Sequence, residues 1–365
     1  MNINFRSAIA ETMHLLKSAN VKGATAVIQR ALRGEPASAG AADVRTEPSR
    51  TALTRLDNQV QAPYLDAEFV EVLERTQSET ISRAEPSSGF VSRTYAASTG
   101  RLAYKLYVPA NHTSRQMSLV LMLHGCTQNP DDFALGTQMN GLADEFGLIV
   151  AYPHQPRSGN AQGCWNWFDP RHQQRGSGEP AALAGLAQEL AAEFNIPTGN
   201  VFAAGLSAGG AMAEVLAVTY PEVFSAVGVH SGLPYGSATD VMSAFSAMKG
   251  AVTPARQNAR GDQRKVRKII FHGSADKTVH VGNSEQIFRQ AQACSTSKPR
   301  LSQSTINGRK VTRTSLNSAD GTSLAEHWLI HGSGHAWSGA SQGGSYTDKT
   351  GPDASREMVR FFLAK

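Results

Sequence analysis

The apolar positions change period along this chain. Near the start they recur at helical spacing: Phe5, Ile9, Met13 and Leu16, then Ala24, Val27, Ile28 and Leu32, with Ser18-Ala19-Asn20 and Lys22-Gly23 between the two runs. That pattern predicts a helical hairpin over 1–34, an appendage too small to bury a core alone. Ala, Gly, Pro, Ser, Thr and charged residues dominate 35–62, which reads as a flexible linker, and Phe69, Val70, Val72 and Leu73 mark a connecting helical segment within 63–88. From Gly89 the period becomes that of strands. Phe90 to Ala96 and Leu102 to Val108 alternate around Ser98-Thr99-Gly100, a hairpin signal. Leu119 to Leu123 and Leu148 to Tyr152 are continuous apolar runs, as expected of strands covered on both faces. Val201 to Ala204, Ala226 to His230, Lys268 to His272 and His327 to Ile330 are further strands, and Ala181 to Phe194 and Arg356 to Leu363 are helices. Alternating strands and helices over 89–365 predict an α/β domain with a doubly wound, mainly parallel sheet, and ligands in such sheets bind beyond the carboxyl ends of the strands.

Composition narrows the function classes. Hydrophobic content of 41% and charged content of 18% suit a globular core, and the net charge of +5 comes without a Lys/Arg block interleaved with aromatics, so nucleic acid is not an expected partner. The basic residues from Arg256 to Lys268 read as a solvated loop before a strand. No apolar run approaches the length of a membrane span. Met1-Asn2-Ile3-Asn4-Phe5-Arg6 has neither a continuous apolar core nor a small-residue cleavage site, which favours the cytoplasm unless the start lies upstream or another export route operates. Cys126, Cys164 and Cys294 are too few for a disulfide scaffold, and neither a metal-ligand spacing nor a dinucleotide or phosphate loop is present, so no cofactor and no metal are expected.

The candidate chemistry centres on Gly205-Leu206-Ser207-Ala208-Gly209, which follows the Val201 strand and precedes a helix-favouring run from Ala211 to Ala217. Strand, sharp turn, helix is the setting of a nucleophile elbow, in which the glycines leave room for the adjoining strand and helix. Gly339-Ala340-Ser341-Gln342-Gly343 matches the same pattern with no strand before it, and reads as loop. An elbow serine needs a base and a carboxylate that orients the base, in the chain order Ser, acid, His. Asp276 lies just past the Lys268–His272 strand and His335 in a Gly-rich loop past the His327–Ile330 strand, which makes Ser207, Asp276 and His335 the candidate triad. His272 and His331 compete for the base, Asp240 and Asp320 for the acid. The oxyanion would be held by the Ala208 amide and by a second amide from His124-Gly125-Cys126, that of Cys126. Trp165, Trp167 and Phe168, three aromatics in four residues of a loop, form either an apolar wall for an ester substrate or a lid over the core. A Cys126–Cys164 disulfide would pin that loop beside the oxyanion hole, whereas a cytoplasmic home argues against one.

His124-Gly125-Cys126-Thr127-Gln128, Gly163-Cys164-Trp165-Asn166-Trp167-Phe168, Gly205-Leu206-Ser207-Ala208-Gly209-Gly210-Ala211-Met212, His272-Gly273-Ser274-Ala275-Asp276 and Gly334-His335-Ala336-Trp337-Ser338-Gly339 together resemble the polyhydroxybutyrate depolymerase family of esterases, from about Gly89 to the C-terminus. The resemblance implies an α/β-hydrolase fold and hydrolysis of hydroxyalkanoate esters or polyester by Ser207, His335 and Asp276. It also implies oxyanion donors at Cys126 and Ala208 and a Cys126–Cys164 disulfide. Because the family includes feruloyl and acetylxylan esterases, carbohydrate-linked esters are the alternative substrates. A rival from another class is a granule-associated binding protein that uses residues 1–34 and keeps the hydrolase domain as a scaffold.

Overall fold

The computed structural model describes residues 89–97, 100–251, 266–341 and 343–364, besides Val27. The chain divides into Met1–Ala84 and Glu85–Lys365. The predicted hairpin over 1–34 apart from Val27, the linker over 35–62 and the segment over 63–88 lie outside the described residues, as does most of the basic stretch before Lys268.

The second unit is built on one ten-stranded sheet. Its strands are β1 (Gly89–Ala97), β2 (Gly100–Val108), β3 (Ser118–Leu123), β4 (Leu148–Pro153), β5 (Val201–Leu206), β6 (Ala226–His230), β7 (Arg267–Gly273), β8 (Arg300–Ile306), β9 (Arg309–Asn317) and β10 (Ser323–Ile330), in the order β1-β2-β4-β3-β5-β6-β7-β10-β9-β8. The centre from β4 to β10 is parallel, and antiparallel hairpins close both edges. A separate ribbon pairs β11 (Trp337–Ser338) with β12 (Thr347–Asp348).

Helices cover both faces, which is why the central runs are apolar at every position. Along β3, Leu119, Leu121 and Leu123 point into one core with α3 (Gly178–Glu193) and α4 (Ala208–Thr219). Val120 and Met122 point into the other core, with α1 (Pro130–Thr137), α2 (Met139–Phe146) and α7 (Ala354–Leu363). Two further helices, α5 (Val241–Met248) and α6 (Gly282–Ala293), complete the set. The expected strands and helices appear with ends displaced by a few residues. The β8–β9 hairpin is an addition. Nearly all of β8 is exposed, so the strand carries no burial pattern to recognise. Its one local signal is Asn307-Gly308, both at positive φ (43° and 78°), the turn chemistry of a tight hairpin.

Candidate active site

Ser207 stands between β5 and α4 with φ 58° and ψ −118°, a backbone conformation that L residues rarely adopt. The turn is clamped on both sides: the Ser207 N–H donates to His230 O at 2.9 Å, and Ser207 O accepts from Ala211 N at 2.9 Å. A Cβ on Gly205 would lie 2.3 Å from the carbonyl carbon of Gly209, and one on Gly209 would lie 2.0 Å from Leu123 O, so both glycines are required by close backbone approach. No side chain caps α4. The free amides of its first turn, Ala208 among them, are therefore available to an anion.

The loop after β3 lies against the elbow, since a Cβ on Gly125 would be 3.7 Å from Ser207 Cβ. Three contacts hold this loop. The Gly125 N–H donates to Gln128 Oε1 at 2.9 Å, and the amide of Gln128 in turn donates to Asp132 Oδ2 and Ser345 O. The Cys126–Cys164 disulfide ties it to the 160s loop, and the Thr127 N–H donates to Gln162 O at 2.8 Å. Below it, buried His124 accepts the Gln155 N–H on Nε2, so its Nδ1 carries the proton and donates to Gly125 O at 2.8 Å.

Asp276 and His335 are brought together. The Asp276 carboxylate is fully buried, and its Oδ2 accepts the His335 Nδ1–H at 2.7 Å. That bond leaves the lone pair of His335 on Nε2, the tautomer a general base needs. Oδ1 is occupied by the backbone N–H groups of Thr278 and Val279, at 2.8 and 2.9 Å. Burial pushes the Asp276 carboxyl up, but hydrogen bonds and charge from His272 and His335 outweigh it and hold the group well below the usual carboxylate range.

His272 is buried against the same carboxylate. Its Nε2–H donates to Val279 O at 2.8 Å, with Asp276 Oδ2 3.4 Å away, so that nitrogen is engaged by the backbone and is not free to act as a base. The remaining competitors lie elsewhere: His331 meets Thr312 Oγ1 on β9, Asp240 caps α5, and Asp320 holds an exposed turn. Ser341 sits in a loop whose N–H donates to Gly136 O, with no strand leading into it from a central sheet.

The aromatic wall needs correction. Trp165 is fully buried, with its indole N–H donating to His124 O, and Trp167 is 6% exposed, so both pack beneath the loop as core. Phe168, half-buried and edge-on to Trp167, is the one ring of the three with surface to offer a ligand. The physical reason is burial of two large indoles against β-strand and α3 side chains, which local sequence could not distinguish from a solvent-facing wall.

Several contributors were not expected. His230 accepts the Ser338 N–H on Nε2 and stacks on Trp337, which fixes the loop that carries His335 to the strand next to the elbow. Tyr346, at φ 51°, stands edge-on to His335 with its hydroxyl 3.3 Å from Thr127 Oγ1. It joins the base loop to the oxyanion loop across the site. Gln128 had a visible signal, its place in the His124–Gln128 motif. Tyr346 had none, because only the tertiary fold brings it to Thr127.

Buried histidines give the domain an acid limit. Burial lowers His124 from 6.5 to about 4, His230 to about 3 and His327 to about 4. Each folded-state value lies below the unfolded one. Their contribution to stability is therefore complete above about pH 6.5 and is lost on acidification, at roughly 1.4 kcal/mol per pH unit for each histidine until the folded value is reached. The depressed Asp276 adds a further loss below the ordinary carboxylate range. Thermal unfolding followed between pH 7.5 and 4.5 is expected to show a steep fall in Tm below pH 6.5, and a flat profile would contradict this assignment.

Among the described residues, no cluster of His, Cys, Asp and Glu could hold a metal, and no helix is long and apolar enough to cross a membrane.

Residues 102–296 match the family model described as Esterase PHB depolymerase. A poly(3-hydroxyalkanoate) depolymerase C from Paucimonas lemoignei is 34% identical over 66% of this chain and 60% of its own length. A probable acetylxylan esterase A from Aspergillus fumigatus is 30% identical over 53% of this chain and 54% of its own. The chain thus spans little more than half the length of these curated relatives. An acetyl xylan esterase structure from Aspergillus awamori superposes over 75% of this chain and 99% of its own, with a TM-score of 0.58 at 20% identity, a likeness of fold. The fold is that of the α/β-hydrolases.

Proposed function

The chain belongs to the Esterase PHB depolymerase family, and from that premise we propose that it is a serine hydrolase of carboxylic esters, acting on short-chain hydroxyalkanoate esters and their oligomers. The observation that carries the reading is the 2.7 Å bond from His335 Nδ1 to the buried Asp276 carboxylate, on a loop tied by the Ser338 N–H to His230, whose carbonyl accepts the Ser207 N–H of the strained elbow. In this proposal Ser207 Oγ attacks the ester carbonyl as His335 Nε2 takes its proton. The tetrahedral oxyanion rests on the Ala208 amide, at the uncapped start of α4, and on the Cys126 amide in the loop held by Gln128. His335 then returns the proton to the departing alcohol, and water admitted to the acyl-enzyme is activated by the same nitrogen to release the acid. Asp276 keeps the imidazole in one tautomer and stabilises its positive charge when it forms.

A second substrate reading, acetyl or feruloyl groups on carbohydrate, draws support from the acetylxylan esterases among the relatives. The deciding measurement is a panel of kcat/KM values on 3-hydroxybutyrate oligomers, acetylated xylo-oligosaccharides and feruloyl sugars, with Ser207→Ala protein as the blank. The expected result is the highest value on the hydroxybutyrate oligomers. A higher value on the sugar esters would transfer the assignment to them, and rates equal to the blank on every ester would end both.

A further inference from the structure

A groove of about 780 Å³ lies beside the oxyanion loop, beyond the carboxyl ends of β3 and β4. The β1–β2 hairpin forms its floor. Tyr104 pairs with Pro153, the last residue of β4, and Ala103 O accepts the His154 N–H at 2.9 Å, so the outer half of the hairpin stands above the end of its neighbour. Thr127 and Gln128 form one lip, and His154, Arg157 and Gln162 face them. The lip is part of the reaction centre's own support. Thr127 follows Cys126 directly and touches the Tyr346 hydroxyl, and Gln128 holds Gly125 against the elbow. The groove thus borders the loop that carries the Cys126 amide, whose Gly125 lies against the elbow.

Its charges select what can lie there. The lining carries Arg93, Lys105, Arg157 and Asp131. Lys105 is paired with Asp131, and Arg93 is paired with Glu193 at 2.8 Å. Arg157 is exposed and has no carboxylate partner among the described residues. Among the described residues one positive charge is left over in a groove lined also by amides, hydroxyls, an imidazole and the apolar Ala103, Pro130 and Pro156, and a guanidinium fork matches a carboxylate.

We propose that this groove is a binding subsite for the carboxylate-ended arm of a hydroxy-acid ester oligomer, with Arg157 taking the terminal carboxylate while the scissile ester sits at Ser207. The proposal rests on the polyester reading above and sharpens it. The alcohol half of such an ester carries a free carboxylate at its end, whereas the alcohol half of an acetylated neutral sugar carries none. Because Arg157 is exposed, its attraction is modest and screened by salt.

Binding separates this proposal from the hydrolysis assignment. Full-length protein carrying Ser207→Ala is titrated calorimetrically with 3-hydroxybutyrate tetramer as the free acid and as its methyl ester. At low ionic strength the acid is expected to bind roughly threefold to fivefold tighter, a preference that shrinks with added salt and disappears when Arg157→Ala is added. Equal affinity for the two tetramers, no binding of either, or a preference that survives Arg157→Ala would overturn the subsite. Failure of the polyester reading shows elsewhere, as absence of tetramer hydrolysis by the protein that retains Ser207.

Discussion

Ser207→Ala is expected to lower kcat on p-nitrophenyl butyrate by about 10⁶-fold, and adding His335→Ala to it should cost little more, because nucleophile and base act as one unit. What remains would come from the oxyanion amides and binding alone. Asp276→Asn tests the third member differently and should cost about 10⁴-fold in kcat. The reason lies in the crowding of donors around that carboxylate. Thr278 and Val279 N–H groups point at Oδ1, and the His335 N–H points at Oδ2, with His272 Nε2 3.4 Å from the same oxygen. An asparagine amide must set its NH₂ against the donors on one side or the other. Either it faces His335 and forces the proton of that ring onto Nε2, or it faces the two backbone donors and the loop gives way. Burst and steady-state kinetics on the purified variants measure all three effects. Near-wild-type turnover by Ser207→Ala would remove the serine from the mechanism, and near-wild-type turnover by Asp276→Asn would remove the carboxylate.

Gly209→Ala is expected to destabilise the domain by at least about 3 kcal/mol, or to prevent its folding, although it changes one hydrogen to a methyl in a helix. The added Cβ would stand 2.0 Å from Leu123 O and 2.7 Å from His124 O. These are backbone atoms of β3 and of the oxyanion loop, with no side chain that could swing aside. The elbow would have to lift away from the loop that carries Cys126, so activity in any folded fraction should fall with stability. Gly141→Ala in α2 is the matched control. A Cβ there meets nothing within 4 Å, and the change should stabilise by about 0.5–1 kcal/mol. Urea unfolding of the two variants provides the comparison. Equal midpoints would mean that the elbow is looser than the close approach of its backbone implies.

The candidate triad was legible because each of its members sits just past a strand end. Ser207, Asp276 and His335 follow β5, β7 and β10, and parallel strands with buried faces announce themselves as apolar runs. The register of those strands then carries the loops to one edge of the sheet. What could not be read was which side chains near these loops face solvent. Trp165 and Trp167, in sequence either a substrate wall or a lid over the core, turn out to be core, and the contact that shows it, from the Trp165 indole N–H to His124 O, joins residues 41 positions apart. The exposed β8 strand illustrates the converse, because polar residues at the sheet edge leave no periodic trace.

Local sequence by itself determined the elbow. A strand, Gly205-Leu206-Ser207-Ala208-Gly209 and a helix can meet in few ways, and close approach of backbone to backbone admits little except glycine at positions 205 and 209. It also determined where the candidate acid and base stand, because each follows an apolar run that reads as a strand. Only the tertiary structure decided what holds these groups. The pairing of His335 with Asp276, the second imidazole of His272 on the same carboxylate, the Gln128 brace and the Tyr346–Thr127 contact join residues from 3 to 219 positions apart. Hydrogen bonds of that kind leave no period in the sequence. They exist because six parallel strands end at the same edge and set loops from distant parts of the chain within a few ångströms of one another.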